Sequence, residues 1–205
     1  MELSDVEVRA LGSLLEKEAS TPQAYPLTLN SLVAACNQTS NRAPVLLLEA
    51  VEVERALDSL KAATLVRFVH ASHGSRVEKY RHVLDERLGL DRPELAVLGL
   101  LALRGPQTPG ELRGRSERLC DFADIDAVQE SLDRLANRPE PLVARLPRRL
   151  GHKELRWAHL LSGQPVDVAD SAPLAPPPRT ERLDELEARM AAVETRLAEL
   201  RSLLE

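Results

Sequence analysis

Aromatic residues are almost missing from this sequence: two Phe, two Tyr and one Trp among 205 residues, although hydrophobic residues as a whole reach 43%. Cores without rings must be filled by Leu, Val and Ala, a composition that suits helices. Cysteine is equally scarce. Cys36 and Cys120 stand far apart, which argues against a disulfide framework and fits a reducing compartment. No apolar run approaches the ~20 residues that span a bilayer, and Met1 opens no basic-then-apolar leader, so a cytoplasmic protein with no membrane partner is expected. Catalytic motifs are absent too: there is no Gly-rich phosphate loop, no Gly-x-Ser-x-Gly elbow and no paired-histidine zinc motif. The expectation is a non-enzymatic protein with no cofactor and no metal. A net charge of −5 counts against a strong, sequence-independent hold on nucleic acid.

What the sequence does contain is a repeat. From Glu49 to Val83 a helical stripe of Ala50, Val53, Leu57 and Leu60 runs into a strand pattern (Leu65, Val66, Phe68, Val69). A turn with Gly74 follows, then a returning strand from Val77 to Leu84. Leu65-Val66, Tyr80 and His82 find counterparts in Leu142-Val143, Trp157 and His159, all 77 positions later. One shared offset across a strand and its return strand marks two copies of one unit, and in each copy the aromatic should anchor its hairpin to the helices.

The helix starts repeat as well. Ser4-x-x-Glu7 and Asp91-x-x-Glu94 are capping boxes, each followed by a Leu-Gly pair, Leu11-Gly12 and Leu98-Gly99. Thr28 and Thr108 cap the second helices, the latter with Pro109 as first helical residue and Glu111 closing the box. Third helices are expected over Glu49–Ala62 and Asp124–Ala136, with Leu48 standing where a polar cap belongs. A short strand fits near Tyr25 to Leu27. The order helix, helix, helix, strand, strand describes a winged helix-turn-helix. The fold class is therefore mainly α with small β-hairpins (α+β): two tandem winged helix-turn-helix domains over residues 1–86 and 87–163, a proline-rich linker over 164–179 and a coiled-coil helix over 180–205. In that last stretch Leu183, Leu186, Met190, Val193, Leu197, Leu200 and Leu204 alternate spacings of three and four, a heptad seam that predicts a homodimer.

With ACNQTSNR at 35–42, GSRVEKYRH at 74–82, RGPQTPGELR at 104–113 and PLVARLPR at 141–148, the chain resembles the YceH-like family of uncharacterised bacterial proteins. The resemblance implies two tandem winged-helix domains. It implies no activity, ligand or catalytic residue.

Two groups of residues are candidates for function. Asn37, Gln38, Asn41 and Arg42 sit beside the turn before the third helix, where such side chains either donate to phosphates or build an Asx-type turn. Arg113, Arg115 and Arg118 lie on the middle helix of the second copy, while Arg145, Arg148, Arg149, Lys153 and Arg156 crowd its hairpin and face only Glu154. Arginine forks suit phosphate. This pattern supports DNA binding through the second copy, in a transcription-linked factor. Against it stand the carboxylates of the third helices, Glu49, Glu52, Glu54 and Asp58 in one and Asp124, Asp126, Glu130 and Asp133 in the other, which phosphates repel. They support the alternative, a winged-helix scaffold that binds a protein partner without DNA. The remaining polar candidates read as structure: His70 and His73 beside a turn, His82 and His159 packing a strand on the core, and Cys36 a small buried hydrophobe.

Overall fold

Helix starts in the computed structural model follow the capping chemistry of the sequence. It describes residues 2–70, 77–147 and 155–164. The Gly74 turn, Arg148, Arg149, Lys153, the linker and the heptad helix lie outside the described residues. α1 (Asp5–Ser20) is capped by Ser4, whose hydroxyl accepts from the Glu7 N–H while the Glu7 carboxylate accepts from the Ser4 N–H at 2.6 Å. α2 (Leu29–Cys36) starts at Thr28, α5 (Arg92–Arg104) at Asp91, α6 (Pro109–Ser116) at Thr108 and α7 (Ile125–Ala136) at Asp124, each cap accepting from the N–H three residues on. α3 (Ala50–Ala62) corrects one expectation. Its cap is Glu49, whose N–H donates to the Glu52 carboxylate at 2.7 Å, so the polar cap stands one residue after Leu48.

The repeat extends into the packing. α3 buries Val53, Ala56, Leu57 and Leu60; α7 buries Val128, Ser131, Leu132 and Leu135, the same spacing on one face. Ala50, expected in that stripe, is exposed in the first turn, and Ala56 takes its place. The hairpins share a register. β2 (Val66–His70) and β3 (Glu78–His82) pair Val66 with His82 and Phe68 with Tyr80; β4 (Val143–Arg145) and β5 (Trp157–His159) pair Val143 with His159 and Arg145 with Trp157. β1 (Leu27–Thr28) adds a third antiparallel strand at Tyr80, and in the second half an isolated bridge from Gln107 to Trp157 occupies the same place. Between the halves lies one unexpected element, the short α4 (Leu84–Leu88), ended by Gly89 at φ 64°. The architecture is α+β, with seven helices and two small antiparallel sheets among the described residues.

The two halves share one hydrophobic core, within a single compact unit over residues 1–166. Its centre is the packing of α1 on α5. Residues 96 to 103 of α5 are apolar throughout and all buried, as expected of a helix surrounded by others. The repeated Leu-Gly pairs sit at this crossing. A Cβ on Gly12 would stand 3.0 Å from Leu103 Cγ, and one on Gly99 3.2 Å from Leu15 Cβ. Gly12→Val should therefore destabilise the protein by ~1–3 kcal/mol through overpacking, measured by urea unfolding. A neutral substitution would mean that the helices have room to part. Backbone hydrogen bonds add to this packing: the Leu3 N–H donates to Leu161 O at 2.7 Å and the Ala43 N–H to Leu103 O at 2.9 Å, tying each half to the other.

Candidate interaction site

The segment between α2 and α3 exposes apolar side chains to solvent, and buried polar groups hold it in place. Arg9, on the buried face of α1, donates to Cys36 O at 3.1 Å and to Pro44 O at 2.6 Å. The Asn37 side chain donates to Leu48 O and accepts from the Leu48 N–H, both at 2.8 Å, as a paired strand residue would. Between these two anchors the chain presents Val45 and Leu47 to solvent, Leu47 at 92% of its full exposure, with Val51 following on the first turn of α3 at 44%. Val45, Leu47 and Val51 together make an apolar edge open to solvent.

Beside this edge the outer face of α3 is mostly acidic: Glu49, Glu52, Glu54 and Asp58 are all exposed, with Arg55 a cation among them. The equivalent face of α7 exposes Asp124, Asp126 and Glu130, with Ile125 among them. Asp133 is engaged by Arg145 at 2.9 Å.

The candidate amides and cations fall in several places. Arg42 is buried. Its guanidinium donates to both Glu16 carboxylate oxygens at 3.1 and 2.7 Å, to Ala35 O, to Asn41 O and to Gln38 Oε1, so it holds the turn and reaches no external phosphate. Asn41 takes φ 60°, a conformation Asn tolerates, and accepts from Arg104. In the second half Arg113 donates to Ala123 O at 2.9 Å, and Arg115 to Gln107 Oε1 at 2.6 Å, with Glu111 at 3.2 Å. Arg145 lies over the Trp157 ring, 4.8 Å from its centroid, and Arg156 is half-buried. Of the described candidate cations only Arg118, in the turn after α6 and not on the helix itself, is exposed with no hydrogen-bond or ion-pair partner among the described residues. One cavity gathers residues from both candidate groups: Gln38 and Asn41 line it together with Arg115 and Arg118.

Arg9, Arg104 and Leu47 were not singled out by sequence. Arg9 carried a readable signal, a charge inside a stretch of helix buried on all sides. Leu47 did too, as the middle of the apolar run from Pro44 to Leu48 that follows no helical period.

The matched histidines differ in their surroundings. His82 Nε2 meets Glu18 Oε2 at 2.5 Å, Nδ1 accepts from the Leu84 N–H at 3.3 Å, and the His82 N–H donates to the Tyr25 hydroxyl at 2.8 Å. His159 has no such network, and its Nδ1 is buried without a partner. Burial pushes its imidazole down from the ordinary range, opposed by the charge of Asp5. The unfolded chain takes up this proton near pH ~6.5 and the folded protein resists it, so stability complete above that pH is lost as pH falls through it toward the folded value. His159→Gln should lose less stability than the native chain between about pH 7.5 and about pH 5.5, read by urea titration at each. Equal losses would place the acid sensitivity elsewhere. Burial likewise raises the Cys36 thiol, consistent with an inert core residue. Among the described residues no group of three His, Cys, Asp or Glu side chains is arranged to hold a metal, and no helix is long and apolar enough to cross a membrane.

A family model described as "Protein of unknown function, DUF480" matches residues 3–152, a span that takes in the first half and most of the second. The chain belongs to the DUF480 family. Its curated DUF480-like relatives bear the name UPF0502 protein. The one from Geotalea uraniireducens is 53% identical over 100% of this chain and 96% of its own length. Relatives from Geobacter sulfurreducens and Dechloromonas aromatica are 54% and 46% identical, covering 97% and 98% of this chain and 90% and 94% of their own. Membership of an uncharacterised bacterial family, implied by the four strings, is thereby established.

Proposed function

We propose that each half of this DUF480 protein is a winged helix and that the pair serves as a non-enzymatic interaction module. It docks a protein partner on the edge formed by residues 44–51 and the acidic face of α3. The observation that carries this reading is Leu47, exposed at 92% on a backbone pinned by Arg9 and Asn37. Charge identifies the partner's chemistry. Glu49, Glu52, Glu54 and Asp58 beside an apolar edge call for a segment with Lys or Arg flanking apolar side chains.

The DNA reading rests on the cations between residues 145 and 156. It is weakened by Arg145, already paired with Asp133 and stacked on Trp157, and by the acidic outer face of α7, the helix that would enter the major groove. One comparison separates the two. Capture from native lysate, with and without nuclease, is run with the full chain, with Leu47→Asp, and with Arg148, Arg149 and Lys153 all changed to Gln. Leu47→Asp should leave stability within ~0.5 kcal/mol, because nothing packs on the side chain. It should weaken a nuclease-resistant partner at least about tenfold, ~1.4 kcal/mol. If binding instead needs the three cations, disappears with nuclease and has a salt dependence that flattens by ~0.9 in log-log slope per lost phosphate contact, the protein acts on DNA.

A further inference from the structure

A second surface feature is independent of the Leu47 edge. Where the end of α1, the turn after α2, the end of α5 and α6 converge, they enclose a cavity of about 240 Å³. Four cations line it, Lys17, Arg104, Arg115 and Arg118, against one carboxylate, Glu16. That carboxylate is already held by both terminal nitrogens of Arg42, with Lys17 at 3.6 Å. The turn adds the polar side chains of Gln38 and Ser40.

The cations are not fully satisfied by the protein. Arg104 donates from one terminal nitrogen to Asn41, but its Nε is buried without a partner. Arg115 is held by Gln107 and Glu111, and Arg118 has no partner among the described residues. Burial, and after it the charge of Arg115, push the Arg104 guanidinium down from its usual range; Glu16 opposes the shift, Arg42 adds to it and Glu111 opposes it. Arginine stays protonated under such pressure. The repulsion therefore persists in the folded protein, and an anion in the cavity would relieve it.

We infer that this cavity is a binding site for a small phosphoryl dianion, either free phosphate or the phosphate of a small monoester, held by Arg104, Arg115, Arg118 and Lys17. Planar guanidinium forks match tetrahedral oxyanions through paired hydrogen bonds. The volume sets the size of the ligand. Pockets for drug-sized molecules enclose ~300–1,000 Å³, so this one accepts a phosphoryl group with little attached to it. Gln38, Ser40 and Asn41 come from the first half and Arg104, Arg115 and Arg118 from the second, so a bound anion would brace the seam between them.

The test is calorimetric titration of the full chain with inorganic phosphate and, separately, with glycerol phosphate, each against sodium chloride at matched ionic strength. Saturable binding with Kd at or below about 1 mM is expected, together with a rise in Tm that chloride does not reproduce. Tighter binding of the ester identifies a monoester as the ligand class, and equal or tighter binding of phosphate identifies the free ion. Arg118→Ala, at an exposed side chain that supports nothing in the fold, should weaken binding at least about tenfold, and Arg104→Gln likewise. Should Arg104→Gln fail to fold, Arg118→Glu carries the same test and should abolish binding. The inference is overturned by heats that do not saturate up to about 10 mM, by an effect equal to that of chloride, or by unchanged affinity in the Arg118 variants.

Discussion

Truncating Trp157 to Ala should cost the folded protein ~3–5 kcal/mol and lower its unfolding midpoint by roughly 10 °C. This is the only tryptophan in the chain and it is 2% exposed. It occupies the crossing point of the second half, paired with Arg145 in the hairpin and bridged to Gln107 on the other side, where Gln107 N–H and O exchange bonds with Trp157 O and N–H at 3.0 and 2.7 Å. Removing the ring leaves a cavity that no neighbouring aromatic can fill, and it removes the surface on which Arg145 stacks. Tyr80→Ala should be comparably damaging, because Tyr80 is buried at the matched register and meets Phe68 edge to face at a centroid distance of 5.0 Å. Circular dichroism during urea unfolding measures both variants. In the native chain the tryptophan emission should be shielded from soluble quenchers, and full quenching in the folded state would count against the shared anchoring role.

Arg42→Ala should be as severe, at ~3–5 kcal/mol, because it leaves Glu16 without its guanidinium partner at a largely buried position. Three backbone-facing contacts fail with it, those to Ala35 O from Nε and Nη2 and to Asn41 O from Nη1. Arg42→Lys should recover little, since an ammonium cannot span Glu16, Ala35 and Gln38 from one planar group. Changing Arg42 and Glu16 together to Met should cost less than the sum of the single changes, as the buried charge and its partner leave together. The readout is a double-mutant cycle by urea unfolding. A mild Arg42→Ala effect, under about 1 kcal/mol, would mean the turn holds without its guanidinium.

The fold was legible in the sequence wherever local chemistry decides structure. Ser4, Thr28, Asp91 and Thr108 each cap the helix they announce, because a side-chain oxygen satisfying a free N–H is a contact within one turn. The matched register of the hairpins was legible through Tyr80 and Trp157, since a period of two and one offset leave little freedom. What depends on contacts distant in sequence was not. α4 arises in the passage between halves, ended by the left-handed Gly89, and no apolar period marks five residues. Arg42 could be read as a phosphate donor or as part of a turn, and Glu16, 26 positions away, decides between them. The cation-lined cavity was invisible for the same reason: Gln38 and Asn41 lie far from Arg115 and Arg118 in sequence, and only the packing of the two halves brings them together.

The functional account stands or falls on Leu47. A photo-reactive amino acid placed at position 47 of the full chain, with a control at Glu130 on α7, would be activated in native lysate and the adducts identified by mass spectrometry after nuclease treatment. The account predicts a protein adduct at position 47 that is absent from the control, with the cross-linked peptide carrying Lys or Arg around apolar residues. It also predicts that Glu52→Lys with Glu54→Lys removes the adduct. An adduct to nucleic acid, to a second copy of this chain or to nothing at all would contradict it.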